Sequence, residues 1–432
     1  MSNVSPLQNQ NDSPQSPGTG EAKAVSLAVP LWRNRDFLLL LGGQAVSSVG
    51  SQVSLLAFPL LILAVTRSPV QAGLITGLRG LPFALFCLPA GALIDRWDRK
   101  RVMILCDIGR ALALGSIPLA FGLGHLTLAQ LYIVSLIEGT LYVFFSLAEA
   151  ACLPRVVAQQ QIPAATAQDR TLYAMSELFG PSLGGLLFSI SSMLPFLADA
   201  ISYTASVISL FFIKAEFQGE RSAAAGRLWR EVLEGLVWLW RQPLLRFIAL
   251  LTFGLTTPCA GYVLIVILLA QGMHASTVFI GVIFGIGGIG NILGTLLVMP
   301  MQKRFSFGQI IIGSSWVWAL SWLFLVIAPD PLTLGVALAL GFIIVPIYSV
   351  THLSYRLTLT PDELQGRVNS VFRLIAFGSQ PLGLILTGAL LQAIGPAATV
   401  VALFVPQLVL AIAATLNPDV RNARGVADAK SG

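Results

Sequence analysis

Apolar residues recur along this chain in runs of about 20 or more, at 37–65, 71–94, 102–122, 127–152, 169–190, 194–214, 246–270, 275–300, 308–328, 332–356, 368–392 and 396–416. A bilayer core about 30 Å thick is crossed by about 20 helical residues. Each run is therefore long enough to span. Many contain Gly or Pro, which membrane helices tolerate. Ten-residue segments of strict alternation, the mark of a membrane β-barrel, do not occur. The pattern predicts an all-α integral membrane protein with twelve transmembrane helices.

Polar positions fall mostly into short loops between these runs. The stretch 215–245 is longer and divides the chain into two sets of six. Within it Trp229, Leu233, Leu236, Val237 and Trp240 recur at helical spacing, with Arg230, Glu231, Glu234 and Arg241 on the opposite face. This predicts an amphipathic helix, lying on the membrane surface or packed beneath the bundles as a linker. The expected organisation is a tail at 1–36, a six-helix bundle at 37–214, a linker at 215–245, a second bundle at 246–417 and a tail at 418–432.

Composition agrees with lipid as the main solvent. Of 432 residues, 55% are hydrophobic and 11% are charged, against about 25% charged in soluble domains. Residues 1–30 are rich in Ser, Pro, Gln, Asn and Gly and lack a basic start followed by an apolar core. They read as a disordered tail and not a signal peptide. Cys87, Cys106, Cys152 and Cys259 fall in four separate apolar runs, and His125, His274 and His352 are scattered. No metal set is visible, and no cofactor is expected.

Charge sorts by side. If the N-terminal tail is cytoplasmic, the inner loops hold Arg96, Arg99, Lys100, Arg101, Arg155, Arg221, Arg227, Arg230, Arg241, Lys303, Arg304 and Arg367, while the outer loops hold Arg67. This positive-inside bias places both termini in the cytoplasm. The net charge of +6 then reflects topology, and no basic stripe for nucleic acid is seen. The two sets also repeat weakly. Gly73 and Gly77 match Gly281 and Gly285 at a shift of 208, and Asp95-Arg96 falls on Lys303-Arg304 at the same shift. Two pseudo-symmetric halves point to a transporter with a site between them.

After Ile94, six of the next seven residues are charged, in the stretch GALIDRWDRKR at 91–101. It resembles the loop 2–3 signature of the major facilitator superfamily, G-x-x-x-D-R-x-G-R-R/K, with Asp98 at the second Gly. NRDFLLLLGGQ (34–44), LPRVV (153–157), FLADAISY (196–203), PDELQGRVNSVFRL (361–374) and SQPLG (379–383) are similar to a bacterial branch with siderophore and macrolide exporters. The resemblance implies a cytoplasmic-membrane transporter working by alternating access. It implies a gating set of Gly91, Asp95, Arg96, Arg99 and Arg367, in which Asp95 and Arg99 hold the start of helix 11. Gly180-Pro181-Ser182-Leu183-Gly184-Gly185 resembles the antiporter motif of helix 5, in which small residues let the helix pack and re-pack. The sequence departs from the proton-driven drug exporters in helix 4. Glu138-Gly139 stands for their Gln-Gly, and Ser135 for their Arg.

Ionisable residues inside a membrane are costly and point to function. At a rise of about 1.5 Å per residue, Glu138 lies about 16 Å into helix 4 and Glu177 about 12 Å into helix 5. Neither has an opposite charge within a turn, so both are candidates to bind and release protons. Arg79 could be a counter-ion or a substrate ligand. Asp107 and Arg110, one turn apart, read as a neutralising pair. Glu149, Asp199 and Arg373 read as shallow or locally paired. Gln44, Ser47, Ser48, Ser51, Gln52 and Ser54 form a polar run in helix 1. Gln44, Ser48, Gln52 and Arg79 are candidates to line the cavity, with packing between helices as the alternative for the run. The expected protein is a monomeric secondary exporter of a small amphipathic molecule, coupled to protons and bounded by lipid. The alternatives are an importer or lipid transporter on the same scaffold, and a non-transporting sensor. Clustered enzyme machinery and a nucleotide-binding loop are absent from the sequence.

Overall fold

A computed structural model of the chain describes residues 30–94, 96–215, 217 and 228–423. The expected outer portions of both tails, the first part of the linker and Asp95 lie outside the described residues. Fourteen α-helices follow in order: α1 Arg35–Thr66, α2 Pro69–Ile94, α3 Arg99–Gly122, α4 Leu128–Val156, α5 Ile162–Ile190, α6 Leu194–Phe212, α7 Leu228–Arg241, α8 Pro243–Cys259, α9 Tyr262–Gly272, α10 Thr277–Arg304, α11 Phe307–Ile327, α12 Pro331–Leu359, α13 Asp362–Leu416 and α14 Pro418–Arg421. There is no strand among the described residues.

The helices begin where a polar side chain can take up an orphan N–H. Asn34 accepts from Phe37 N at 3.1 Å, Thr127 from Gln130 N at 3.2 Å and Asp98 from Arg101 N at 3.1 Å. Asp330 accepts from Leu332 N and Thr333 N ahead of Pro331. These backbone donors hold the Asp330 carboxyl below its ordinary range.

Among the described residues ten helices are long and apolar enough to cross a membrane, α8 and α9 counting as one. The expected twelve differ from these by α5 and by the length of α13. Helix α5 carries Asp169, Arg170 and Glu177, which dilute its hydropathy. Helix α13 has 55 residues and is broken at Gly395, φ 77° and ψ 173°. That left-handed value suits glycine, and Pro396 follows it. Contacts at the helix ends show the path. Asn34 Nδ2 donates to Val156 O at the end of α4, at 2.8 Å. Asp36 accepts from Lys214 N and Ala215 N just after α6. Gly308 at the start of α11 lies against Val420 O of α14. Both ends of the described chain are thus on one side, called here the termini side. This fits the expected count of twelve, with α5 crossing and α13 turning back at Gly395.

Helices α1 to α6 pack mainly with one another, α1 on α5 and α6, α2 on α4, and α3 on α4 and α6. Helices α8 to α13 do likewise, with α10 on α12, α11 on α12 and α13, and α8 on α13. Two crossings join the sets, α2 with α13 and α5 with α10. The buried apolar clusters show where the sets meet. One cluster runs through both sets toward the far side, from Phe58, Ile62 and Phe196 to Leu264, Phe284 and Leu403. On the termini side the clusters are separate. Phe37, Met103, Cys152 and Leu210 belong to the first set, and Leu245, Phe307, Tyr355 and Phe372 to the second.

Candidate transport site

The repeat at a shift of 208 marks the two crossings. A methyl placed on Gly73 of α2 would lie 2.6 Å from Leu384 O and 3.0 Å from Gly388 Cα of α13. One placed on Gly281 of α10 would lie 2.8 Å from Pro181 O and 3.0 Å from Ser182 Cα of α5. Backbones touch at both places because no side chain stands between them. At the far rim Ser68 Oγ donates to Gln392 Oε1 across the sets at 3.1 Å. Deeper, Phe83 and Phe377 meet with ring centroids 4.7 Å apart.

The helix-5 motif divides its work. Gly180 and Gly184 face Gln52 and Val53 of α1, within the first set. Pro181 and Gly185 face α10 of the second set, and Ser182 Oγ donates to Gly281 O at 3.1 Å. Glu177 lies at the same crossing, where its Oε2 accepts from Asn291 Nδ2 at 3.3 Å.

Glu138 has different company from that expected. It is fully buried and accepts from Arg79 of α2 through Nε, and from Arg79 Nη2 at 3.0 Å. Arg110 Nη2 of α3 donates to its Oε1 at 2.9 Å. Arg110 also lies 3.7 Å from Asp107 and 4.0 Å above the Tyr203 ring of α6. The Tyr203 hydroxyl bonds Ser51 Oγ of α1 at 2.8 Å. The expected Asp107–Arg110 pair is therefore one edge of a five-helix network, and Glu138 is not unpartnered. Backbone proximity makes this possible: Gly139 presses against the carbonyl of Arg79, with no room for a Cβ. Arg79 is the network's exposed edge, 16% accessible against 3% for Arg110 and 0% for Glu138.

Two of the proposed cavity residues are not open. Gln44 and Gln52 are buried, because the small residues Gly43, Gly180 and Ser209 bring α5 and α6 onto α1. Ser48 is half-buried. The sequence reading missed Tyr203 and the depth of Asp199, which is fully buried. The FLADAISY stretch contained both residues, but nothing in its spacing named their partners.

The charge knot binds helix ends. Arg99 Nη1 donates to Ala151 O of α4 at 3.2 Å and to Phe217 O at 3.3 Å. Lys100 Nζ donates to Ile213 O after α6 at 2.6 Å. Cations suit these C-terminal carbonyls. Asp98, at the motif's usual Gly, caps α3. Gly91 is half-buried with open space around it, and Arg96 is exposed. Arg367 Nη1 donates to Glu234 Oε2 of α7 at 2.6 Å. Gly235 of α7 lies against the Arg367 backbone, and Leu239 is buried under the second set.

Residues 26–431 match the transmembrane secretion effector family of the major facilitator superfamily. The chain belongs to that family. It is 26% identical over 399 residues to the multidrug efflux pump Tap of Mycolicibacterium fortuitum, covering 89% of this chain and 96% of the pump. It is 26% identical over 202 residues to macrolide efflux protein A of Streptococcus pyogenes, covering 46% of this chain and 50% of that protein. Its fold is similar to the crystal structure of a bacterial homologue of the human lysosomal transporter Spinster in an inward-facing, occupied conformation. The TM-score is 0.70 at 13% identity, over 90% of this chain and 97% of that one. This member of the major facilitator superfamily is a multi-pass membrane protein whose relatives are transporters.

Proposed function

We propose that this transporter is a proton-coupled exporter of small amphipathic molecules, with the termini side in the cytoplasm of a bacterial cell. The two six-helix sets move as bodies about a central cavity. The carrying observation is the pair of glycine crossings, α2 with α13 and α5 with α10, on the far side. There the apolar core is continuous between the sets, while on the termini side it is divided. This arrangement supports a cavity closed to the outside and poised to take substrate from the cytoplasm. Efflux by relatives with this chain's full span favours export over import. Basic side chains in the loops of the termini side favour its cytoplasmic placement. Arg79, the exposed edge of the buried ionic network, is where a substrate in the cavity meets the network.

The test is transport by purified protein in vesicles. A radiolabelled macrolide and ethidium should each be measured with and without an imposed pH gradient. Accumulation of at least one of them that collapses when the gradient is dissipated is the expected result. Movement of neither, or movement indifferent to the gradient, overturns the reading for these substrates.

A further inference from the structure

The network in the first set has an uneven charge count. Arg79 and Arg110 contribute two positive charges, since guanidinium groups stay protonated in proteins. Glu138, Asp107 and Asp199 can contribute three negative ones. Glu138 is held by both guanidiniums, and Asp107 stands 3.7 Å from Arg110. Asp199 has no cationic nitrogen within ion-pairing distance among the described residues, although the charges of Arg110, Glu138 and Arg79 reach it. It is 0% accessible. Its Oδ1 accepts from Ser202 Oγ at 3.2 Å, while its Oδ2 and the neighbouring Ser54 Oγ face each other with no full-strength hydrogen bond to any group among the described residues. A buried ionised carboxylate without a compensating charge is among the costliest groups a lipid-embedded bundle could hold. Among these five groups balance requires one more unit of positive charge; Glu149 of α4, which also feels Asp107 and Arg110, is set apart from them by its coupling to Asp169 and Arg170 of α5.

We propose that Asp199 is the proton-binding carboxyl of this transporter. Its carboxylate takes one proton from water to become a neutral acid in the state closed on the far side, and returns that proton to water later in the cycle. Six helices bear on this assignment. From α1 come Gly50, which has no room for a Cβ against Asp199 Oδ1 and Ser202, and the uncharged Ser51 and Ser54. From α3 come Asp107 and Arg110, and Glu138 and Arg79 lie behind them on α4 and α2. On α6 itself Tyr203, one turn along, ties this region to Glu138 and Ser51. Helix α5 keeps its ionisable groups, Asp169, Arg170, Tyr173 and Glu177, at mid-depth or toward the termini side. Asp199 lies instead about 7 Å from the far end of α6. A proton suits the site better than a sodium ion. Ser202 Oγ is already engaged with Asp199 O at 2.7 Å, and a single proton neutralises the carboxylate without any further ligand.

The inference rests on the proton-antiport reading but can be tested apart from it. Infrared spectra of the protein in lipid nanodiscs at neutral pH should contain the carbonyl band of a buried carboxylic acid. Asp199→Asn, which keeps size and neutrality, should remove that band. Glu138→Gln leaves two carboxylates facing two guanidiniums, so it should remove the same band by letting Asp199 ionise. In vesicles the Asp199→Asn protein should exchange a macrolide downhill and lose gradient-driven accumulation at least tenfold. A band unchanged in Asp199→Asn, or absent from the wild type, overturns the assignment. A band that survives Glu138→Gln overturns the charge balance behind it, and this variant serves if Asp199→Asn does not reach the membrane. Wild-type-like uphill pumping by Asp199→Asn, or a sodium gradient driving transport in place of a pH gradient, overturns the coupling role. A wild type indifferent to pH gradients that still shows the Asp199 band defeats the antiport reading and leaves the proton on Asp199.

Discussion

Arg110 touches four groups at once: Glu138, Asp107, the Ser51 hydroxyl and the face of Tyr203. Removing a partner from a buried ionic network leaves charge uncompensated, at a cost of about 3–5 kcal/mol. Arg110→Leu should therefore destabilise the protein by about that amount, read from thermal unfolding in detergent. If its melting temperature matches the wild type, the network is not holding the first set together. The depth of Glu138 was legible in the sequence, because helical rise fixes depth. Its company was not. Arg79 and Arg110 lie 59 and 28 residues away on other helices, and spacing within one helix says nothing of them. Asp199 was misplaced for the same reason. Being near a helix end suggested access to the interface, but α1 and α3 cover it.

At the scale of elements, the far-side closure rests on helices whose backbones meet at glycines. Ser68→Cys with Gln392→Cys, in a background lacking the four native cysteines, should form a disulfide across the closed rim. Transport should stop on oxidation and return on reduction. Gly185→Leu, which would drive a side chain into Thr277 O, should lower the cross-linking yield severalfold. Full cross-linking with undiminished transport would show that the rim need not open. These crossings were half legible. The repeat named Gly73 and Gly281, but a repeat of glycines does not say which helix each one meets. The break at Gly395 lies between the two apolar runs that the sequence separated, where Ile394-Gly395-Pro396 supplies a residue free to turn and one unable to continue a helix. The interruption at Ala260 and Gly261 was invisible, since apolar character runs through it. It follows from Pro258 and from the close approach of Thr387 to Gly261. The connector α7 meets the second set with only part of its apolar face. Leu239 is packed beneath the second set, while Leu233, Val237 and Trp240 stay exposed.

For the whole molecule, the side of each charge decides orientation. Epitope tags at residues 1 and 432 should resist protease added to intact cells and be cut when the cells are opened. Cleavage of either tag from outside would invert the topology and turn the proposed export into uptake. The asymmetric core has a consequence of its own. The far-side closure is a continuous apolar seal, and opening it brings that surface to water. Apolar association weakens on cooling, so temperature acts directly on this gate. A cell growing in the cold would carry more molecules with the outer mouth ajar than one growing warm, with no change in substrate, voltage or pH. The temperature optimum of transport would then record the thermodynamics of wetting one greasy seam.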